Sequence, residues 1–199
     1  MMAVATIERD AELMLRVREG DTQSFAVLLE KYRGPVIHFL QRMILNQAVA
    51  EELAQEVFLR VYRSRANYEP TAKFTTWLYR IASHLALNHI RDRRHERNQE
   101  SLDEEVSEGM GRQVASLGPT IEQTLVRESK FVEIRQAIQN LPAKQRAAVL
   151  MHKYEEMEYS HIATALECSE SAVKSLLFRA YEGLRAKLAH MGGLEEEIR

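Results

Sequence analysis

Only one of the 199 residues is a cysteine, Cys168. A single thiol excludes an internal disulfide framework and a cysteine-rich zinc site, and it fits a reducing cytoplasm. The opening MMAVATIERD is acidic and has no long apolar core, so it does not read as a signal peptide. No apolar run approaches the ~20 residues needed to span a bilayer, which argues against membrane contact by this chain itself. No stretch reads as a convincing β-strand. There is no HExxH, no Cys/His cluster, no glycine-rich phosphate loop and no GxSxG. His84, His89, His95, His152 and His161 form no metal-ligand pattern, and His84 and His89 are badly spaced for one helix face. Enzyme chemistry is therefore disfavoured, and neither cofactor nor metal is implied. The net charge of −2 argues against a wholly basic nucleic-acid binder, but the distribution of charge matters more than its sum.

What is present is helical periodicity, with an apolar fraction of 45% that is enough for packed cores. The stretch YSHIATALECSESAVKSLLFRAYEGLRAKL, residues 159–188, holds two short patterns. Ile162, Ala163 and Leu166 mark the first, and Val173, Leu177 and Leu184 the second. Glu167-Cys168-Ser169 has the length of a tight turn. Ser169 suits the N-cap of the second helix, and Ser160 that of the first. Two short helices on such a turn make a helix-turn-helix, in which the second helix enters the DNA major groove. Its outward positions, Ser171, Lys174, Ser175, Phe178 and Arg179, suit phosphates and base edges. A helical hairpin with a solvated basic face fits the same periodicity.

The rest of the chain also reads as helix. Asp10–Glu19 forms a short helix with Leu13, Leu15 and Val17, and Asp21 caps the next. Phe25, Leu28, Leu29 and Tyr32 give an amphipathic stripe, which Gly34-Pro35 should break or kink. A helix resumes over Val36–Leu45, with Asn46 as junction and cap. Over Ala48–Arg63, Val49, Leu53, Val57 and Val61 recur every four residues toward a core, while Glu51, Glu52, Gln55, Glu56 and Arg60 form a charged face. Ser64–Lys73 has loop character. Phe74–Arg94 is a helix with Thr75 as candidate cap and an apolar side of Trp77, Leu78, Ile81, Leu85 and Ile90. Between Lys73 and Arg97 six Lys/Arg stand against two acids. Aromatics beside such a basic helix permit stacking on unpaired bases along a phosphate track. Residues 99–119 carry five acids before the first base, with Gly109, Gly111, Gly118 and Pro119, and read as a flexible acidic linker. Helix returns over Thr120–Asn140, with Ile121, Leu125, Val132, Ile134 and Ile138 near core spacing. Pro142 suits the first turn of the next helix, whose apolar positions are Ala147, Val149 and Leu150. Gly192-Gly193 should end the last helix. The expected fold is all-α: a domain over 1–98, the linker 99–119, and a helix-turn-helix domain over 120–199.

Three stretches together resemble a known family. AEELAQEVFLRVYR (50–63), FTTWLYRIASHLALNHIRDRR (74–94) and residues 141–188 resemble, in order, the core-polymerase-binding helix, the minus-10 element and the minus-35-binding domain of bacterial RNA polymerase sigma factors. The likeness is greatest to the extracytoplasmic-function (ECF) group. The resemblance implies a promoter-specificity subunit, with catalysis left to the polymerase. Glu51, Glu52, Gln55 and Glu56 would meet the core enzyme. The Ser64–Lys73 loop, through Asn67, Tyr68 and Lys73, would pocket a base flipped from the minus-10 strand. Arg80, His84, Asn88 and Arg91 would track that strand, and Trp77 would either hold the melted junction or belong to the core. Ser171, Ala172, Lys174, Ser175, Phe178 and Arg179 would read the minus-35 duplex. An anti-sigma factor is the further partner implied. The chain departs from the residues common in the family at His84, Asn88, Ala172, Leu176 and Tyr181, and at Glu167, where glycine is common in the turn. The promoter consensus, the inducing signal and the relative orientation of the two domains are not legible in the sequence. A free-standing duplex-binding regulator and a helical adaptor are the competing readings. The aromatic and basic residues of 74–94 disfavour the first, and the basic recognition face disfavours the second.

Overall fold

The computed structural model of the chain describes residues 8–100 and 132–189, the side chains of 97–100 apart. Four α-helices precede the gap: α1 Arg9–Arg18, α2 Thr22–Ile44, α3 Gln47–Arg63 and α4 Phe74–Glu100. A 3-10 turn, Arg65–Asn67, lies between α3 and α4. After the gap, residues 132–139 are helical (α5). They are followed by α6 Ala143–Tyr154, α7 Tyr159–Ala165 and α8 Glu170–Leu188. The described residues contain no strand. The expected linker falls outside them from residue 101 onward, as do Ile121 and Leu125. The expected domain end at 98 lies inside α4, which continues to Glu100.

Capping chemistry sets several boundaries. The Asp21 carboxylate accepts from the N–H groups of Gln23 and Ser24 and from the Ser24 hydroxyl at 2.7 Å, and the hydroxyl bond first, then the N–H bonds, hold its pKa below the usual value. Leu45 closes α2 in the left-handed region at φ 67°, and Asn46 caps α3 by accepting from the N–H of Val49. Pro35 does not break α2. Its missing N–H removes one bond, but Val36, Phe39, Leu40 and Met43 beyond it are all buried, and that packing carries the helix through. Thr75 is not the cap of α4. The N–H of Phe74 is taken by the carboxylate of Glu8 at 3.2 Å, across 66 residues of sequence. Ser160 caps nothing, since it lies inside α7, whose N-cap is Glu158. Ser169 does cap α8, accepting from the N–H of Ala172 at 3.2 Å. Pro142 stands at the N-cap of α6 rather than in its first turn, and α8 ends at Leu188, before the Gly192-Gly193 pair.

The core of α1–α4 draws Met14, Leu28, Val36, Phe39, Leu40, Met43, Val57, Phe74, Leu78 and Tyr79 from their facing sides. On α3 the buried stripe is Ala50, Ala54, Val57, Phe58 and Val61, so Val49 and Leu53 sit at its edge. Phe39 and Tyr79 meet edge to face at 5.2 Å, a geometry worth ~1 kcal/mol beyond burial. Asp10, 4% exposed, is satisfied by the hydroxyl of Tyr32 at 2.5 Å and the ammonium of Lys31 at 2.6 Å. Burial and that carboxylate push the Tyr32 pKa upward. In the second half, Ala147, Val149, Leu150, Ile162, Val173, Leu177, Ala180 and Leu184 make the core. Val132 is 49% exposed and stays outside it.

The two halves touch. Helix α7 lies against α4, and α6 against α2 and α4. Arg146 on α6 donates to the carbonyl of Met43 at 2.6 Å, and the Arg42 guanidinium stacks over the Tyr154 ring at 4.1 Å.

Candidate functional surfaces

Four surfaces carry the expected site residues. The first is the outer face of α3. Burial of Ala50, Ala54, Val57 and Val61 leaves Glu51, Glu52 and Gln55 exposed and Glu56 partly so. Gln47 donates to Glu51 at 3.0 Å, and Arg60 to Glu56 at 2.7 Å. The Arg60 bond holds the Glu56 pKa down. The face is a pre-formed acidic strip with Leu59, 47% exposed, beside it.

The second surface is the loop between α3 and α4. Asn67 and Lys73 are exposed there. Tyr68 is not: it is 2% exposed, with its ring 4.9 Å from that of Trp77 and 6.4 Å from that of Phe74. Its hydroxyl is buried without a partner, and burial raises its pKa to about 12. The Tyr68 ring therefore has no free face on which a base could stack. Arg18 donates to its carbonyl at 3.2 Å and anchors the loop on α1. Trp77 is half-buried in the same aromatic cluster.

The third surface is one side of α4. Arg80, His84 and Arg91 are exposed and Asn88 half-exposed, at helical spacing. Arg80 is not free. Its Nε and Nη2 donate to one oxygen of Glu167 at 2.9 and 2.6 Å. Arg91 pairs with its neighbour Asp92 at 3.2 Å.

The fourth surface is the helix-turn-helix. Leu166 bonds back to Ile162, Glu167 to Thr164 and Cys168 to Ala163, a Schellman closure of α7. The residue that must take the left-handed conformation is Glu167, at φ 51°. In α8, Val173, Leu177, Ala180 and Leu184 face inward. Ser171, Lys174, Ser175 and Arg179 are exposed, Ala172 is intermediate, and Phe178 is 65% exposed. The Arg179 Nε donates to the Ser175 carbonyl at 3.1 Å, which steers the guanidinium along the helix surface. Tyr181 faces elsewhere: its hydroxyl meets His152 Nδ1 at 3.0 Å and its pKa is raised to about 12 by burial.

Sequence reading missed Tyr79, Ser83, Arg146 and Glu155, the residues that join the two halves. The Tyr79 hydroxyl donates to Glu155, and the Ser83 hydroxyl lies between the carbonyls of Arg80 at 3.1 Å and Ala165 at 3.3 Å, sharing its one proton between them. Tyr79 lies off the apolar side as drawn from Trp77 and Leu78, and no local pattern flags an acid after α6 as a partner for α4.

Comparison with known proteins matches residues 28–96 to sigma-70 region 2 and residues 131–184 to sigma-70, region 4. The RNA polymerase sigma-H factor of Pseudomonas aeruginosa is 34% identical over 90% of this chain and 93% of its own length. The ECF RNA polymerase sigma factor SigW of Bacillus subtilis is 32% identical over 87% and 93%. Among solved structures, RpoE of Bartonella quintana, in complex with the anti-sigma factor NepR, superposes with TM-score 0.67 at 20% identity over 84% of this chain and 98% of its own. CnrH, in complex with the cytosolic domain of CnrY, gives 0.66 at 15% over 92% and 99%. The fold is therefore shared even where sequence has diverged. The two matched regions occur in order in one chain, and relatives above 30% identity span nearly all of it, so this chain belongs to the ECF group of RNA polymerase sigma factors.

Proposed function

We propose that the surfaces divide the work of a sigma factor as follows. The acidic strip of Glu51, Glu52, Gln55 and Glu56 on α3 docks on core RNA polymerase. Asn67 and Lys73, with Arg80, His84, Asn88 and Arg91 along α4, take the melted minus-10 strand. Trp77 supports the base-binding loop from beneath, and Tyr68 serves packing rather than stacking. Ser171, Lys174, Ser175, Phe178 and Arg179 on α8 read the minus-35 duplex, with Ala172 lining the helix where it nears the groove. Residues 1–98 and 120–199 act as two domains on the 99–119 tether. The chain works in the cytoplasm as a specificity subunit, carries out no reaction of its own, and is held in check by an anti-sigma factor; the solved structure of RpoE bound to the anti-sigma factor NepR supports that last reading.

The observation that carries this reading is the pairing of two different nucleic-acid faces in one chain. A duplex-only regulator has use for α8 but none for an aromatic-and-basic α4. The test is co-elution of the chain with sigma-free core polymerase, followed by transcription from a genomic promoter pool. A stable complex that starts transcripts at a shared two-part motif is the expected result. Tight duplex binding by the chain alone, without a polymerase complex, would instead make it a free-standing regulator.

A further inference from the structure

We propose that Glu8 and Arg18 are positioning residues for minus-10 recognition, pinning the base-binding loop to α1 beside each of its two reading side chains. The inference rests on the proposed role of the Ser64–Lys73 loop. The Arg18 guanidinium donates to the Tyr68 carbonyl at 3.2 Å, and the Glu8 carboxylate accepts from the Phe74 N–H at 3.2 Å. Tyr68 directly follows Asn67, and Phe74 directly follows Lys73. Each contact therefore fixes the backbone beside a residue assigned to the melted strand. Both bonds join an ionised side chain to a backbone group, the stronger kind of hydrogen bond. Glu8 also meets α4 at its N-terminus, where a carboxylate complements the helix dipole.

The element behind both contacts is firmly seated. Glu8 is the N-cap residue of α1, yet its side chain bonds to α4 rather than to its own helix. The ten residues of α1 set the two attachments about 15 Å apart on one rod. Ala11, Met14 and Val17 bury its inner side, and Asp10 fixes its start through Tyr32 and Lys31 on α2. Glu8 and Arg18 both lie ahead of the region 2 match, which begins at residue 28. A loop free to choose its shape loses entropy when it takes a base, whereas a pinned loop is ordered beforehand. The same pinning sharpens selection, because a pocket held in one shape cannot widen around a wrong base.

The test uses the full chain bound to core polymerase, with fluorescence anisotropy on a forked promoter fragment whose minus-10 bases are substituted one at a time. Asn67→Ala identifies the position read by the loop, as the one whose discrimination it relaxes. Glu8→Ala and Arg18→Ala are expected to relax that same position by about 3- to 10-fold and to leave the other minus-10 positions and the minus-35 element as in wild type. Glu8→Gln, which keeps an oxygen for the Phe74 N–H, is expected to retain most of the discrimination. Glu12→Ala, an exposed acid on the same helix, is expected to retain all of it. Glu8 and Arg18 are exposed, so the unfolding midpoint should hold in each variant. Hydrogen exchange in the free chain should quicken at Tyr68–Phe74 in both alanine variants while α2 and α3 keep their protection. Uniform weakening at every position, or relaxation of none where Asn67→Ala relaxes one, would overturn the proposal. If Asn67→Ala itself relaxes no position, the loop reads no base, and that separate result strikes the role of the loop and the clamp with it.

Discussion

Leu177 and Phe178 are neighbours in α8 that face opposite worlds. Leu177 is 2% exposed among the residues that hold α8 on α6 and α7, whereas Phe178 is 65% exposed. Leu177→Ala deletes buried methyl groups and leaves a cavity, at a cost of about 2–5 kcal/mol. That is a large part of the ~5–15 kcal/mol that a folded chain has in hand. Phe178→Ala deletes a ring already in water and should move stability by less than about 0.5 kcal/mol. Its loss is felt only when DNA covers the ring. Full burial of a phenylalanine is worth roughly 1.5–3 kcal/mol, so covering the exposed two-thirds is worth about 1–2. At 1.4 kcal/mol per tenfold, minus-35 duplex binding by the polymerase complex weakens about 5- to 30-fold. Urea unfolding and fluorescence anisotropy on the same two variants separate the effects. The reasoning is refuted if Phe178→Ala unfolds as early as Leu177→Ala, or if it binds the duplex like wild type.

Three further outcomes are expected. Glu56→Arg reverses one charge on the α3 strip and breaks the bond to Arg60; it should weaken co-elution with core polymerase while the unfolding midpoint holds. Lys174→Ala with Arg179→Ala should weaken duplex binding and lower the slope of log affinity against log salt by about 2, as two phosphate contacts are lost; an unchanged slope would place both side chains off the backbone. The third concerns pH. Desolvation, then the charge of Lys153, lowers the His152 pKa below the ordinary histidine value of 6.5. The folded state thus binds fewer protons than the unfolded state between the lowered pKa and 6.5, so stability must fall as pH drops through that window. His152→Asn should flatten that part of the profile in thermal unfolding monitored by circular dichroism.

Much of this arrangement is legible in the sequence where local chemistry decides it. Asp21, Asn46 and Ser169 announce their helices because a short oxygen-bearing side chain before an apolar period can satisfy the first free N–H groups. The outward face of α8 follows from the inward spacing of Val173, Leu177 and Leu184. What sequence reading loses is settled at a distance. Pro35 looks like a break, yet four buried residues beyond it keep α2 whole. Thr75 looks like a cap, yet Glu8 arrives from the start of α1 to take that role. Tyr68 has the chemistry of a base-stacking residue, but packing on Phe74 and Trp77 turns it inward. Arg80 reads as a free cation until the fold brings up Glu167. Each miss is a tertiary contact overriding a sound local preference.

Trp77 is the chain's one tryptophan, and it sits half-buried where the loop meets α4, against the rings of Tyr68 and Phe74. The protein therefore carries a single intrinsic long-wavelength fluorophore, at the hinge of its proposed strand-binding surface. Its emission colour and quenching report the solvation of that one spot, uncontaminated by any other indole. Strand capture, or release of the helices that flank it, can be followed in real time without attaching a dye.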